Sequence, residues 1–213
     1  MNGAFIFMAI SQTHTSSFDL PDTLGLIVLE ECFHFPGCFL PLYIFEQRYR
    51  QMLDHALETS RMFGVGTIVN DELMPVITVG LIRASKKRED GTSHVMLYGV
   101  KRIRITGWVQ ERPFRIATIE PFPTLRESTD EELLELKHRA LDLLPPAKPE
   151  CSEAMQTLRS TLDEMVCPDL ACDILSYHFV REPEIMSRLM VEPSLEKRYA
   201  VLMHELERLK EGA

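Results

Sequence analysis

Serine, histidine and lysine side chains occur at spacings known from catalytic sites, but their surroundings do not favour catalysis. Ser194 and Lys197 have the S-x-x-K spacing of a serine nucleophile and its lysine partner. Ser194, however, follows Pro193 at a predicted helix start, and no S-D-N or K-T-G segment accompanies it. We interpret Ser194 as a residue at a helix start and Lys197 as a solvated residue of the first turn. The sequence therefore predicts no catalytic residues and a protein that is not an enzyme.

Metal and nucleotide sites are not predicted either. His204-Glu205 lacks the second histidine of a zinc-protease helix, and no glycine-rich phosphate-binding motif is present. The cysteines are odd in number and form no C-x-x-C pair, which argues against a disulfide framework and a zinc knuckle. They are Cys32, Cys38, Cys151, Cys167 and Cys172. We expect no metal and no cofactor.

An aromatic cluster around Pro36-Gly37 is one of two features that remain. Its rings either plug the end of a barrel or form an exposed apolar patch, and exposed patches commonly mark binding surfaces. In the second case the cluster would bind a peptide. The candidate peptide-binding residues are Phe33, Phe35, Pro36 and Phe39.

A basic stretch in the middle of the chain is the other feature. Residues 83–126 carry 10 basic and 4 acidic side chains, although the whole chain has a net charge of −9. The stretch is either the solvated face of a barrel or a surface for anions or nucleic acid. The candidate anion-binding residues are Arg102, Arg104, Arg112 and Arg115, with Lys86, Lys87 and Arg88 beside them.

The elements that position these residues change in kind along the chain. Short apolar and alternating runs bounded by glycine and proline predict five or six strands before residue 125. One amphipathic helix interrupts them, beginning at Phe45 and ending near Ser60. Glycines inside the longer strands, at Gly99 and Gly107, indicate bulges or corners of a curled sheet. Asp90-Gly91 predicts a hairpin turn.

Helical patterns alone follow residue 125. The first of them has a capping-box candidate in Thr129 and Glu132, and the last repeats leucines at helical steps from Leu195. We therefore predict a loose leader over residues 1–22, a barrel over 23–125 and a helical bundle over 126–213. No apolar run approaches the ~18 residues of a membrane span, and the apolar start lacks the basic region of a signal peptide. A cytoplasmic protein without a membrane association is expected.

The segment FPGCFLPLYIFEQRY resembles the hallmark of the Lon protease amino-terminal, substrate-binding domain family. In that family F-P-G is followed by an L-P-L-x-I-F-E-x-R-Y block that passes into the first helix. The resemblance extends over roughly residues 24 to 210, and Cys38 departs from it by replacing a bulkier aliphatic residue. The matching positions are Phe35, Pro36, Gly37, Leu40, Pro41, Leu42, Ile44, Phe45, Glu46, Arg48 and Tyr49.

This resemblance implies an α+β fold: a PUA-like pseudo-β-barrel with one embedded helix, followed by a C-terminal helical bundle. It also implies that Gly37, Pro41, Phe45, Glu46, Arg48 and Tyr49 have structural roles in the motif. The ATPase and Ser-Lys protease domains of Lon are absent from the sequence. We therefore expect a non-catalytic module that recognises a protein or peptide. Because the PUA fold also occurs in RNA-binding proteins, RNA or anion binding through the basic stretch is the alternative.

Overall fold

The computed structural model describes residues 19–146 and 152–211, which form an α+β fold. Strands and one helix come first, and five helices follow. The predicted leader, residues 1–22, lies outside the described residues except for its last four. The strands are β1 (Thr23–Glu30), β2 (Phe39–Ile44), β3 (Met62–Val69), β4 (Glu72–Leu73), β5 (Val76–Lys87), β6 (Ser93–Gln110) and β7 (Arg115–Pro121). The helices are α1 (Gln47–Glu58), α2 (Asp130–Asp142), α3 (Ser152–Glu164), α4 (Pro168–Phe179), α5 (Pro183–Val191) and α6 (Leu195–Glu211).

The strands form a closed ring, which confirms the predicted curled sheet. Neighbours pair in the order β1-β7-β6-β5-β3, and β3 then pairs in parallel with β1 to complete the ring. The long strand β6 changes its partner along its length. Residues 93–98 pair with β2, whereas residues 103–110 pair with β7. Register shifts beside Gly99 and Gly107 confirm the predicted irregularities, and such bulges let a strand bend around a barrel.

Helix α1 packs its apolar side against the core of the ring. Its buried residues include Tyr49, Met52 and Leu53, which belong to one core cluster with residues of β1, β3, β5 and β6. The Tyr49 hydroxyl donates a hydrogen bond to the carbonyl oxygen of Val28 at 2.9 Å and accepts one from the Val28 N–H at 3.2 Å. This pair of bonds fixes the helix to β1, which agrees with a structural role for the motif tyrosine.

The F-P-G turn is attached to β6 at a glycine. Gly37 has a φ of +78°, a conformation that glycine adopts without strain. Its N–H donates to the carbonyl oxygen of Gly99 at 2.8 Å, and the Gly99 N–H donates to the carbonyl oxygen of Cys38 at 2.9 Å. A Cβ at position 99 would lie 2.1 Å from the carbonyl oxygen of Phe35. The turn can therefore approach β6 this closely only because residue 99 has no side chain.

The described chain forms two compact units. Residues 19–123 and 182–191 make up a strand unit, so α5 belongs with the strands. Here Arg102 donates a hydrogen bond to the carbonyl oxygen of Met190 in α5 at 3.1 Å, and the Thr78 hydroxyl contacts the Met190 sulfur. The other unit is helical, and its described residues are 124–146, 152–181 and 192–211. None of the helices in the described residues is long and apolar enough to cross a membrane.

The helical unit contains two buried cations with well-defined partners. Lys137 of α2 donates to the carbonyl oxygens of Asp163 and Met165 at the end of α3, at 2.8 and 2.9 Å. Arg198 of α6 is 1% exposed and forms an ion pair with Asp173 of α4. Helix α2 begins with the predicted capping box, which is confirmed by bonds in both directions between Thr129 and Glu132.

Candidate functional site: an exposed sheet face

Three strands of the strand unit present an apolar face on the outside of the ring. Directly paired residues of adjacent strands project their side chains to the same side of a sheet. The pairing places Tyr43 of β2 beside His94 of β6, and His94 beside Lys86 of β5. A second row consists of Pro41, Met96 and Ala84. The intervening residues Leu40, Ile44, Val95 and Leu97 are buried in the core, so these two rows face outward.

Two large aromatic side chains on this face are exposed to solvent. Tyr43 is 45% exposed and Phe45 is 60% exposed, and their ring centroids lie 5.9 Å apart. The Tyr43 ring also contacts His94, with centroids 4.9 Å apart. Phe39 and Tyr98 form the next outward-facing pair of β2 and β6, beyond Pro41 and Met96. Their ring centroids lie 5.1 Å apart, and both residues are half-buried. We call the surface formed by Pro41, Tyr43, Phe45, His94 and Met96 the outer aromatic face.

Strand β2 lies at an edge of the sheet. It pairs with β6 on one side, and no second strand of the described residues pairs with it. Proline in a sheet is confined to positions whose N–H would point away from a partner strand. The backbone carbonyl of Pro41 therefore points toward the open edge of β2. Because the direction of the backbone groups alternates along a strand, the N–H and carbonyl groups of Tyr43 point the same way. The edge can offer the Pro41 carbonyl and both backbone groups of Tyr43, but it lacks a donor at residue 41.

The predicted aromatic cluster is largely inside the molecule. Phe33 is 6% exposed and Phe35 is 0% exposed, and Pro36 is also buried. Phe39 alone of the four candidate residues is half-buried. Of the two interpretations of this cluster, the geometry agrees with rings that fill the barrel, so Phe33, Phe35 and Pro36 offer little surface to a peptide.

His34 lies in the same turn and is a buried titratable group. It is 1% exposed, and its Nε2 lies 3.1 Å from the carbonyl oxygen of Cys38. Its Nδ1 has no hydrogen-bond partner in the described structure. Burial is the main cause that lowers the pKa of His34 to about 4, because the charged ring would lose its hydration.

We expect His34 to make the protein less stable in mild acid. The unfolded chain binds a proton at the ordinary histidine pKa of 6.5, whereas the folded protein does so only near pH 4. Stability is therefore lost as the pH falls from 6.5 to 4, by about 3 kcal/mol from this residue. Urea unfolding across this range, followed by fluorescence, measures the loss. His34→Gln should show a shallower pH dependence than the wild type, and identical pH profiles would contradict the prediction.

The predicted basic residues differ in their exposure to solvent. Arg102 is 3% exposed and is bonded to Met190. Arg104 is exposed but lies 3.6 Å from Glu120 in an ion pair. Arg112 and Arg115 are both exposed, and Arg115 lies over the ring of Trp108, 5.4 Å from its centroid. The burial of Arg102 takes one of the four candidate anion-binding residues out of the surface.

The S-x-x-K pair has the geometry of a helix start. The Ser194 hydroxyl accepts a hydrogen bond from the backbone N–H of Lys197 at 3.3 Å and donates one to Glu196 at 3.1 Å. Glu196 in turn accepts bonds from the N–H groups of Glu127 and Ser128, which contribute to lowering its pKa to about 2. In residues 19–146 and 152–211, no group of three or more histidine, cysteine or acidic side chains is arranged to hold a metal ion.

Two other motif residues lie at the start of α1. Glu46 and Arg48 form an exposed ion pair at 2.8 Å, and the guanidinium lies over the Tyr49 ring, 4.5 Å from its centroid. Pro41 and Phe45, by contrast, are exposed on the outer aromatic face.

The sequence of this chain matches the model of a known protein family over most of its length. The model of the ATP-dependent protease La (LON) substrate-binding domain matches residues 23–208. The chain belongs to the Lon substrate-binding domain family. The match includes nearly all of the described strands and helices, as the F-P-G and L-P-L-x-I-F-E-x-R-Y segments predicted.

Lon proteases from several bacteria are similar in sequence over most of the chain. The Lon protease of Desulfosudis oleivorans is 26% identical over 91% of this chain, and that of Paraburkholderia phytofirmans is 29% identical over 85%. The alignments include only 25% and 24% of those two proteins. The chain thus spans about a quarter of the length of the Lon proteases that it matches.

Solved Lon N-terminal domains have the same fold. The N-terminal domain of Mycobacterium avium complex Lon protease aligns with a TM-score of 0.70 at 17% identity, covering 86% of this chain and 97% of that one. The Lon N-terminal domain protein from Xanthomonas campestris aligns with a TM-score of 0.62 at 21% identity, covering 85% and 97%.

The sequence interpretation did not single out Tyr43, His94 and Met96 of this Lon domain. Both faces of strand β2 carry apolar residues. The sequence therefore lacks the alternation of apolar and polar residues that would distinguish core positions from surface positions. Pro41 and Tyr43 are exposed, and only a known register with β6 identifies them as facing outward.

Proposed function

We propose that this Lon substrate-binding domain is a non-catalytic recognition module for extended or unfolded polypeptides, and that it binds them on the outer aromatic face. The observation that carries the proposal is the exposure of Tyr43, at 45%, on the edge strand β2, and of Phe45, at 60%, directly after that strand, with their rings in contact. Contiguous exposed apolar surface commonly marks a binding site. The family membership supports a protein or peptide as that partner.

Side chains rather than backbone would supply most of the affinity. Addition of a peptide strand to the edge of β2 would use the backbone groups of Tyr43 and the carbonyl of Pro41. The missing donor at Pro41 removes one hydrogen bond from such a ladder. Apolar contacts with Tyr43, Phe45 and Met96 then have to compensate for it. A surface formed by only five residues buries little area, so we expect weak binding, with a Kd on the order of micromolar.

The absence of catalysis is part of the same proposal. The region matched to Lon proteases is their substrate-binding domain. Ser194 serves as a helix cap, and its hydroxyl is bonded to Glu196 rather than to a basic group. We therefore propose that the chain binds polypeptides without cleaving them.

Replacement of the two exposed rings tests the proposed surface. We expect Tyr43→Ser with Phe45→Ser to weaken binding of reduced, carboxymethylated lactalbumin by about ten-fold or more, because aromatic contacts dominate interfaces of this kind. Fluorescence anisotropy of labelled lactalbumin measures the affinity. Circular dichroism checks that the variant is folded.

Val109 provides a matched control. It is 62% exposed and lies on the half of β6 that pairs with β7, so Val109→Ser removes an exposed apolar side chain outside the outer aromatic face. We expect this variant to bind as the wild type does. No binding by the wild type up to millimolar polypeptide, or equal losses in both variants, would reject the proposal.

A further inference from the structure

We infer that the outer aromatic face selects polypeptide segments in which an aromatic or large aliphatic residue is followed, a few residues later, by aspartate or glutamate. The inference rests on the proposed function and adds the class of substrate. It depends on Lys86, which the strand register places at the polar end of the face.

The register puts Lys86 on the same side of the sheet as the aromatic residues. Lys86 pairs with His94, and His94 pairs with Tyr43, so the three side chains form one row across β5, β6 and β2. The next residue, Lys87, projects to the opposite side because side chains alternate along a strand. There its ammonium group lies 3.4 Å from the Asp54 carboxylate of α1.

Lys86 keeps its charge available for a ligand. It is exposed, and no ion pair of Lys86 occurs among the described residues. Its cross-strand neighbour is a histidine and not an acid. Of the two acids in the β5–β6 turn, Glu89 is exposed and makes no ion pair in the described structure.

Asp90, the other acid of the turn, is already engaged. Its Oδ1 accepts hydrogen bonds from the hydroxyl of Thr92 at 2.6 Å and from the Thr92 N–H at 3.0 Å. These bonds, with Arg88 and Arg50 nearby, lower the pKa of Asp90. The Asp90 carboxylate is thus held within the turn by Thr92 and does not form an ion pair with Lys86. The Lys86 ammonium group therefore remains available to the carboxylate of a ligand.

The strand spacing sets the distance between the apolar side chain and the acidic side chain of the bound peptide. Neighbouring strands lie about 4.8 Å apart, so the backbones at Tyr43 and Lys86 are separated by roughly 10 Å. An extended peptide advances about 3.3 Å per residue, so a peptide that crosses the strands of this face, instead of adding to the edge of β2, covers that distance in about three residues. The apolar residue over Tyr43 and Phe45 and the acid near Lys86 are then about three positions apart.

Matched peptides test the inference. One labelled peptide carries Phe-Leu and a glutamate three positions later in a glycine-serine background, and two others have glutamine or lysine in place of the glutamate. We expect the wild type to bind the glutamate peptide about five-fold more tightly than the glutamine peptide at low salt, with a smaller ratio at high salt. Lys86→Glu should reverse the order and favour the lysine peptide. Lys87→Glu, the same charge change on the other side of the sheet, should leave the order unchanged.

The outcomes separate this inference from the proposed function. Equal binding of the three peptides by the wild type and by Lys86→Glu would overturn the charge preference and leave peptide recognition standing. Failure of all three peptides to bind, together with failure of unfolded lactalbumin, would reject the proposed function itself. Tighter binding of an oligouridine than of the glutamate peptide, lost in Lys86→Glu, would overturn the inference in favour of nucleic acid.

Discussion

Gly99→Ala should destabilise the strand unit by about 3 kcal/mol or more. The added Cβ would lie 2.1 Å from the carbonyl oxygen of Phe35, and backbone atoms cannot move aside as the end of a flexible side chain can. Relief of this contact would separate the F-P-G turn from β6 and break the Gly37–Gly99 and Gly99–Cys38 hydrogen bonds. Urea unfolding followed by the fluorescence of Trp108, the single tryptophan of the chain, reports on this unit.

Gly107 in the same strand is the matched control. A Cβ there would meet its nearest atom, the hydroxyl oxygen of Thr118, at 3.9 Å, which is an ordinary contact distance. We expect Gly107→Ala to change the free energy of unfolding by less than about 1 kcal/mol. Equal effects of the two substitutions would show that the close approach of the turn to Gly99 does not limit stability.

Asp173→Asn should destabilise the helical unit by about 3 kcal/mol. Arg198 is 1% exposed, and the Asp173 carboxylate is its closest ion-pair partner, with Asp169 farther away at 4.0 Å. Removal of the carboxylate charge leaves a buried cation only partly compensated, which is costly away from water. Chemical unfolding followed by far-UV circular dichroism, which reports chiefly on helices, measures the loss.

A double substitution separates the cost of an unpaired charge from the value of the pair. Asp173→Leu with Arg198→Met replaces both ions by apolar groups, and we expect it to be more stable than Asp173→Asn alone. The exposed pair Glu46–Arg48 is the surface control, and Glu46→Gln should cost less than about 1 kcal/mol. A double variant as unstable as the single one would indicate that packing, not charge, dominates at this position.

Much of the fold follows from local patterns in the sequence. The change of period after Phe45 predicts α1, Asp90-Gly91 predicts the turn between β5 and β6, and Thr129 with Glu132 predicts the start of α2. Each depends on residues that are close together in the chain. The parallel pairing of β1 with β3 and the association of α5 with the strands depend on distant contacts, such as Arg102 with Met190, which local periodicity does not encode.

The candidate site was less predictable than the fold, for a related reason. Phe33 and Phe35 attract attention as a cluster of rings, yet both fill the core. Tyr43 looks like a core residue of an apolar strand and Phe45 like the first residue of an amphipathic helix, yet both are exposed. An apolar side chain by itself does not tell which side of a sheet it faces. That information lies in the register of β2 against β6, in which a shift by one residue exchanges the two sides.

Pro41 also affects how this molecule behaves at high concentration. A strand with exposed aromatic side chains at a sheet edge is the kind of segment through which identical molecules join into continuous, insoluble assemblies. A proline in the middle of β2 removes a donor that a second copy of the strand would need for such growth. The same residue thereby limits self-association at a sheet edge that carries an exposed aromatic side chain.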